Sequence, residues 1–305
     1  MYDIGIVGLS SVHAETFAKV MWKYHDATVS MVWGEDTDPK TVEEYCSKWD
    51  ARAVEDASEM IGDVDAVMIP ANWDTHRAFA TEFLENGVPT LVDKPIAGSI
   101  SDVDAMVESS EEGETVLFGG SAIPFHAEVQ DFSSHDSERT IHCASYRDPF
   151  YYGCHVVDTA RKLTDSDWMT VETTPVPGRT IAIEFQNGSY ATIRFDGPLS
   201  DAGFGIMDVS ARTDATVIRS FSPTQPNSDQ AERELTYRYY LDRFFGNIEG
   251  RYADDEWVAD AAKLLVAAQA ALKYDDAIQR DDERLHRLDM TEEDTVSGYM
   301  STADT

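Results

Sequence analysis

A chain of 305 residues, 42% of them hydrophobic, is long enough to form two domains that each bury a core. Its 57 acidic residues outnumber 24 basic ones, which gives a formal net charge of -33 at pH 7. A field of this sign repels phosphate backbones and anionic membrane surfaces, so the composition excludes nucleic acids and membranes as partners.

The acidic residues are spread along the whole chain and arginine outnumbers lysine, as in the hydrated surfaces of halophilic proteins. An acidic patch for a basic partner is the alternative, although no single block of charge dominates. The three cysteines, Cys46, Cys143 and Cys154, show no CxxC or Cys/His spacing, so neither a disulfide framework nor a metal site is predicted. A reducing cytoplasm fits this pattern.

The first residues predict a strand, a tight turn and a helix. Tyr2 to Val7 is apolar and ends at Gly8, and a helical pattern follows His13. This is the context of a dinucleotide-binding G-x-G-x-x-G turn, but Ser10 and His13 occupy its second and third glycine positions. Serine is small enough for a pyrophosphate to approach the helix N-terminus, so we predict a cofactor-binding turn at Gly8, Ser10, Ser11, Val12 and His13. A strand at Tyr2 also leaves no room for a signal peptide, and no apolar run approaches the length of a membrane span.

Two acids, Glu35 and Asp36, follow the second predicted strand, Thr28 to Trp33. An acid about 20 residues beyond the glycine turn can accept hydrogen bonds from the ribose hydroxyls of NAD and repels the 2′-phosphate of NADP. We therefore predict NAD as the cofactor. In so acidic a chain, an acid at this position also has the alternative of being ordinary surface charge.

Strands and helices alternate from Tyr2 to about Leu117, which predicts a doubly wound parallel sheet with helices on both faces. One strand ends at Pro70 and is followed by Ala71, Asn72 and His76. The next ends in Asp93-Lys94-Pro95, where the proline denies the next ladder hydrogen bond. Ligands of open α/β sheets bind beyond the carboxyl ends of the strands, so Lys94 is a candidate active-site residue; the alternative is a surface lysine before a turn.

These three blocks, at Gly8, at Asn72 with His76, and at Asp93-Lys94-Pro95, resemble the glucose-fructose oxidoreductase / inositol dehydrogenase / MocA-like (Gfo/Idh/MocA) family, where the third block usually reads Glu-Lys-Pro. The resemblance implies an NAD-binding Rossmann domain followed by an α+β domain with a mostly antiparallel sheet. It implies that Lys94 touches both nicotinamide and substrate, and that Ala71, Asn72, His76 and Asp93 lie along the cofactor.

A second block of the same family, Gly-x-His-x-x-Asp, matches Gly153, His155 and Asp158. The resemblance implies that His155 handles the proton of a substrate alcohol at the start of a helix. Relatives commonly carry an aspartate four residues before this histidine, whereas this chain has Tyr151, followed by Tyr152; either tyrosine can position a substrate or relay its proton. A helix-start histidine satisfied by the backbone is the alternative. An arginine common just before Pro124 in relatives is also absent.

The second half predicts an antiparallel sheet. Ile181 to Phe185 and Ala191 to Phe195 alternate, and a three-residue loop at Asn187 to Ser189 places both apolar triplets on one face. A strand is predicted from Arg139 to Arg147, a polar loop from Ser222 to Asp229, and a helix from Glu234 to Phe245 capped by Gly246. In the family the free face of this sheet pairs subunits, so a homo-oligomer, dimer or tetramer, is implied.

The predicted organisation is a nucleotide-binding domain at 1–120, a substrate domain at 121–290 and an acidic tail at 291–305, with helices around 234–276 returning towards the first domain. Fraying is expected from Arg284 onwards. The leading functional interpretation is an NAD-dependent oxidoreductase of sugars, cyclitols or similar polyols, with Lys94 and His155 at the reacting centre. The alternatives are a redox-neutral, NAD-retaining lyase, isomerase or glycosidase, and a nucleotide-binding sensor without catalysis.

Overall fold

A computed structural model describes residues 1–9, 11–34, 37–132, 138–145, 148–175, 178–196, 205–212, 215–221 and 230–291. The chain forms two compact units. Unit 1 consists of Met1–Ala97, Ser101–Gly120 and Tyr237–Ala259. Unit 2 consists of the described residues of Gly98–Ile100, Ser121–Thr236 and Asp260–Thr305.

Unit 1 is built on a six-stranded parallel sheet. Its strands are β1 (Tyr2–Val7), β2 (Ala27–Trp33), β3 (Arg52–Ala53), β4 (Ala66–Ile69), β5 (Thr90–Val92) and β6 (Leu117–Gly119). They lie in the order β3-β2-β1-β4-β5-β6, and every pair is parallel. The order reverses between β1 and β4, and such a switch point is where a doubly wound sheet binds its ligand.

Helices connect these strands. They are α1 (Val12–Tyr24), α2 (Pro39–Trp49), α3 (His76–Glu85) and α4 (Ile100–Glu112). The central strand β4 is apolar throughout, and all four of its residues are buried, because both faces of the sheet are covered there. The predicted doubly wound fold is therefore confirmed.

Unit 2 contains a seven-stranded sheet. Its strands are β7 (Arg139–Ala144), β8 (Trp168–Thr173), β9 (Thr180–Phe185), β10 (Tyr190–Arg194), β11 (Gly205–Arg212), β12 (Ala215–Phe221) and β13 (Ile278–Gln279). The order is β12-β11-β7-β10-β9-β8-β13, and only the β7–β10 pair is parallel among the pairs of these described strands. This confirms the predicted mostly antiparallel sheet.

The remaining helices are α5 (Ala127–Phe132), α6 (Gly153–Thr164), α7 (Gln230–Ile248) and α8 (Asp255–Tyr274). Along β7 the two faces differ: Ile141 and Cys143 are buried, whereas Thr140 and His142 are exposed. No helix within the described ranges is long and apolar enough to cross a membrane.

The hairpin between β9 and β10 has the predicted loop length at a different place. Ile183 pairs with Ala191, and the amide of Phe185 donates to the carbonyl of Ser189 at 3.0 Å. The three loop residues are therefore Gln186 to Gly188, so the predicted loop at Asn187 to Ser189 is wrong by one residue. The reason is that the last loop position needs the left-handed conformation, which Gly188 takes at a φ of 84°.

Gly246 does not cap α7 as predicted, because the helix continues to Ile248. A Cβ at Gly246 would lie 2.5 Å from the ring of Tyr252, so this glycine makes room for an aromatic side chain. The left-handed residue after the helix is Gly250, with a φ of 69°.

The fraying predicted from Arg284 onwards is wrong for the residues that the structure describes. Leu285 and Leu288 are buried, and the amide of Met290 donates to the carbonyl of Gly98 at 3.1 Å. Two leucines thus anchor this acidic segment. Residues 292–305 lie outside the described part of the chain, as do Arg147 at the end of the strand predicted from Arg139 and the polar loop predicted from Ser222 to Asp229.

Candidate active site

The turn after β1 is shaped by Gly8, which has a φ of 95°. Its amide donates to the carbonyl of Trp33 at 2.8 Å, and a Cβ at this position would lie 2.6 Å from the backbone α-carbon of Ala71. Only glycine combines that backbone conformation with so close an approach between the ends of β1 and β4. Ser10, predicted to bind the cofactor, lies outside the described residues.

Helix α1 starts directly after this turn. Ser11 is its N-cap, and the hydroxyl accepts a hydrogen bond from the amide of His13 at 3.1 Å. Val12, the first helical residue, is 76% exposed. The start of α1 therefore offers helix amides for a phosphate group. Glu35 and Asp36, the predicted ribose ligands, lie outside the described residues.

His13 connects three elements of unit 1. Its Nδ1 lies 2.6 Å from Oδ2 of Asp93, and its Nε2 lies 2.9 Å from the hydroxyl of Tyr237 on α7. Asp93 is buried at the end of β5. Burial pushes the pKa of Asp93 upwards, but the charge and hydrogen bond of His13 and the charge of Lys94 outweigh it and hold the pKa below its usual value. Asp93 is therefore an anion at neutral pH.

Lys94 follows Asp93 and is 8% exposed. A buried ammonium group is costly unless it has an anionic neighbour, and the ionised Asp93 provides one. The Lys94–Pro95 peptide bond is cis. A lysine held in this way at the carboxyl end of a central strand can bind an oxygen that becomes negatively charged during a reaction.

His76, at the start of α3, is fully buried. Its Nδ1 lies 3.0 Å from the carbonyl oxygen of Pro95 and its Nε2 lies 3.1 Å from that of Ala71. Burial lowers the pKa of His76, although Asp93 and the carbonyl groups act in the opposite direction. The ring thus connects the segments that follow β4 and β5. Asn72, between Ala71 and the 3-10 turn Trp73–Thr75, is exposed.

In unit 2, the block at the start of α6 is shaped by Asp148. One oxygen of this buried carboxylate accepts from the amide of Phe150 at 2.9 Å and from that of Tyr151 at 2.5 Å. Burial raises the pKa of Asp148 despite these bonds. The rings of Tyr151 and Tyr152 meet edge to face, with centroids 5.2 Å apart. The turn places both tyrosines directly before the helix.

His155, in the first turn of α6, is bonded to a residue that sequence reasoning missed. Its Nδ1 lies 2.6 Å from the hydroxyl oxygen of Ser121. Asp158, one turn further along α6, accepts a hydrogen bond from the amide of Ser121 at 2.8 Å. The structure therefore brings His155 and Asp158 together through Ser121. The absence of the expected arginine near Pro124 was the one sequence signal that this segment differs from relatives.

Tyr237 is the second residue that sequence reasoning missed, since its position in an aromatic stripe with Tyr240, Leu241 and Phe244 predicts a core residue. The other three are buried, but Tyr237 is only half-buried and its hydroxyl bonds to His13. The predicted site residues thus form two groups, one in each unit. No group of three His, Cys, Asp or Glu residues able to hold a metal ion is found within the described ranges.

Burial raises the pKa of Asp158 to about 7, although its bond to the Ser121 amide acts against this. A folded-state pKa above the ordinary value of 3.8 means that the folded protein retains a proton that the unfolded chain releases. The stability that this proton provides is complete below about pH 4 and is lost as the pH rises through about 7. The free energy of unfolding of Asp158→Asn minus that of the parent protein should therefore increase as the pH is raised from 4 to 8. We expect this increase to be on the order of a few kcal/mol.

Urea unfolding at constant salt measures this difference across the pH range, and comparison with the parent protein cancels the other carboxylates. Asp165→Asn is a matched control, because Asp165 is an exposed left-handed residue at the end of the same helix. Its difference from the parent protein over the same pH range is the baseline for Asp158→Asn. A pH-independent difference for Asp158→Asn would contradict the raised pKa.

Comparison with known proteins identifies similarity at two levels. Residues 2–121 match the Gfo/Idh/MocA family, described as an oxidoreductase family with an NAD-binding Rossmann fold. The oxidoreductase YceM of Salmonella typhimurium is 26% identical over 117 residues, which is 38% of this chain and 38% of that protein. Inositol 2-dehydrogenase of Burkholderia ambifaria is 27% identical over 111 residues, 35% of this chain and 32% of that protein. The matches thus span about a third of these relatives.

Solved structures extend the likeness in fold to most of the chain. The WlbA dehydrogenase of Bordetella pertussis, crystallised with NADH and UDP-GlcNAcA, superposes with a TM-score of 0.73 and 16% identity. The superposition covers 91% of this chain and 98% of that structure. Residues 2–121 thus match the model of the predicted family, and the superposed structure confirms the predicted two-part α/β fold.

Proposed function

We propose that the protein is an NAD-dependent dehydrogenase or reductase of the Gfo/Idh/MocA family, because residues 2–121 match the model of that family of NAD-binding Rossmann oxidoreductases. Its substrate is a sugar, cyclitol or similar small polyol, the class to which inositol belongs in the matched dehydrogenase. The observation that carries this proposal is the buried Lys94 beside an ionised Asp93, at the carboxyl end of β5.

The residues of unit 1 fit a dinucleotide. Gly8 turns the chain at a positive φ at the end of β1, and α1 presents its N-terminus directly after that turn. Ser10, Ser11, Val12 and His13 would line the pyrophosphate. Glu35 and Asp36 would bind the adenosine ribose, and Ala71, Asn72 and Asp93 would lie along the cofactor. His76 would hold these segments in place rather than touch the cofactor, because its ring is fully buried. The bound nicotinamide supplies hydride transfer.

The reacting oxygen of the substrate would meet Lys94 and His155. The ammonium group of Lys94 stabilises negative charge on that oxygen, and His155 forms a hydrogen bond to it or transfers its proton. Tyr151 and Tyr152 position the remaining hydroxyl groups of the substrate. Asp158 supports Ser121, the hydrogen-bond partner of His155.

The experiment that tests this function is an assay for NADH formation and consumption with a panel of polyols, cyclitols, aldoses and nucleotide sugars, in molar KCl. Turnover with NAD and much slower turnover with NADP is expected. Product formation without accumulation of NADH, in a protein purified with bound NAD, would instead support a redox-neutral lyase, isomerase or glycosidase. NAD binding without turnover of any compound would contradict an enzyme and support a sensor.

Three further properties belong to this proposal. The net charge of -33 supports a halophilic protein, whose melting temperature rises between dilute buffer and molar KCl as salt screens its self-repulsion. The exposed side chains on one face of β7 support a homo-oligomer, to be measured by light scattering. The three cysteines, which form no disulfide within the described residues, support a cytoplasmic location. A melting temperature unchanged by salt would contradict the first of these.

A further inference from the structure

Ser121 is fully buried, and its hydroxyl group makes two contacts. The hydroxyl oxygen accepts a hydrogen bond from the amide of Ile123 at 3.1 Å and lies 2.6 Å from Nδ1 of His155. The backbone amide of Ser121 is fixed separately by Asp158, at 2.8 Å. The serine is thus held through both its backbone and its side chain, and its hydroxyl group points at a single nitrogen of His155.

The hydrogen atoms of this contact can be assigned by counting donors and acceptors. A hydroxyl group has one hydrogen and two lone pairs, and the amide of Ile123 uses one lone pair. Within the described part of the chain, Nδ1 of His155 is the acceptor that the hydroxyl hydrogen can reach. If Nδ1 carried a proton instead, the serine hydrogen would be buried without an acceptor, which costs about 1–3 kcal/mol. The serine therefore donates, and Nδ1 accepts.

Building on the proposed function, we propose that Ser121 is a positioning residue that holds neutral His155 in the Nε2–H tautomer, so that His155 meets the substrate oxygen as a hydrogen-bond donor. A carboxylate at Nδ1 has the opposite effect, because it accepts the Nδ1 proton and leaves Nε2 as a base. At Nδ1 of His155 this structure places the hydroxyl group of Ser121, whereas Asp148 and Asp158 accept from backbone amides.

This tautomer stabilises negative charge on the reacting oxygen, in the reduction of a carbonyl group and in the reverse reaction alike. In the reduction, the bound nicotinamide would supply hydride to the carbonyl carbon, the electron pair of the C=O bond would move onto oxygen, and that oxygen would take a proton from the Lys94 ammonium. The Nε2–H group of His155 stabilises the negative charge throughout and keeps its proton, as a neutral histidine electrophile does. In the reverse direction, the alcohol proton passes to the neutral amine of Lys94.

Nuclear magnetic resonance can identify the tautomer directly. The full-length protein is labelled with ¹⁵N-histidine, and two-bond ¹H–¹⁵N correlations are recorded in molar KCl over a pH titration. His155→Asn, a change at a half-buried side chain, identifies the His155 signals by their loss. On the neutral plateau we expect a protonated Nε2 and a pyridine-type Nδ1. A protonated Nδ1 in the parent protein would overturn the proposal, and this measurement needs no variant at Ser121.

Two substitutions then test whether Ser121 is the cause. Ser121→Thr keeps the hydroxyl group and should retain the Nε2–H signature, whereas Ser121→Ala removes the donor and should produce a mixture of the two tautomers. An unchanged signature in Ser121→Ala would overturn the role of Ser121. Because the spectra need neither cofactor nor turnover, they stand apart from the NADH assay: absence of turnover would refute the proposed function and leave the tautomer result intact.

Discussion

Replacement of Lys94 by alanine is expected to lower kcat by about a hundredfold or more, while the fold and most of the affinity for NAD are retained. The physical reason is that Lys94 is 8% exposed, so that its charge acts on a bound substrate oxygen with little screening by water. Its removal takes away the charge that stabilises the developing alkoxide. The kinetic constants are measured with the substrate that the panel assay identifies.

The control for this variant is Lys40→Ala. The side chain of Lys40 is 77% exposed and its salt bridge is with Glu44, four residues later on the same helix. It should behave as the parent protein in melting temperature, NAD affinity and kcat. Because Lys94 also helps to keep Asp93 ionised, NAD affinity and melting temperature are recorded for Lys94→Ala as well. A well-folded Lys94→Ala enzyme with full activity would refute the proposed reacting centre.

The second large effect is expected from Gly8→Ala. The new Cβ meets the backbone of Ala71 at 2.6 Å, in a backbone conformation that L-residues adopt only at a cost. Left-handed strain of about 1–2 kcal/mol and overpacking of about 1–3 kcal/mol together predict a loss of about 2–5 kcal/mol in the free energy of unfolding. Since the same turn would approach the pyrophosphate, NAD affinity should fall at least about tenfold.

Gly62→Ala separates the two contributions. Gly62 has a φ of 87°, but a Cβ added there would have no atom within 4 Å, so its substitution adds strain without a clash. We expect a loss of only about 1–2 kcal/mol and no change in NAD affinity. Urea unfolding and a fluorescence titration with NAD measure both quantities. Equal losses in the two variants would show that the approach of Ala71 to Gly8 is not tight in solution.

The elements of this fold could be predicted where local pattern and burial agree. The strands predicted to end at Pro70 and in Asp93-Lys94-Pro95 are short and bounded by turn residues, and both occur in the structure, as β4 and β5. Local pattern alone predicted the β9–β10 loop one residue too late, because the position of the loop depends on which residue takes the left-handed conformation. It also missed the anchoring of Leu285, whose burial depends on the packing of separate elements.

In the candidate site, too, some features could be predicted from local sequence and others depend on how distant segments pack. The sequence by itself indicated the family, through blocks at Gly8, Lys94 and His155 whose residue types suit the proposed nicotinamide-dependent reaction. Only the tertiary structure decided which groups face them: Tyr237 reaches His13 across 224 positions, and Ser121 reaches His155 across 34. Hydrogen bonds of this kind depend on how distant segments come together, and they produce no repeating pattern in the sequence. The protonation of His155 could therefore be inferred only from the fold.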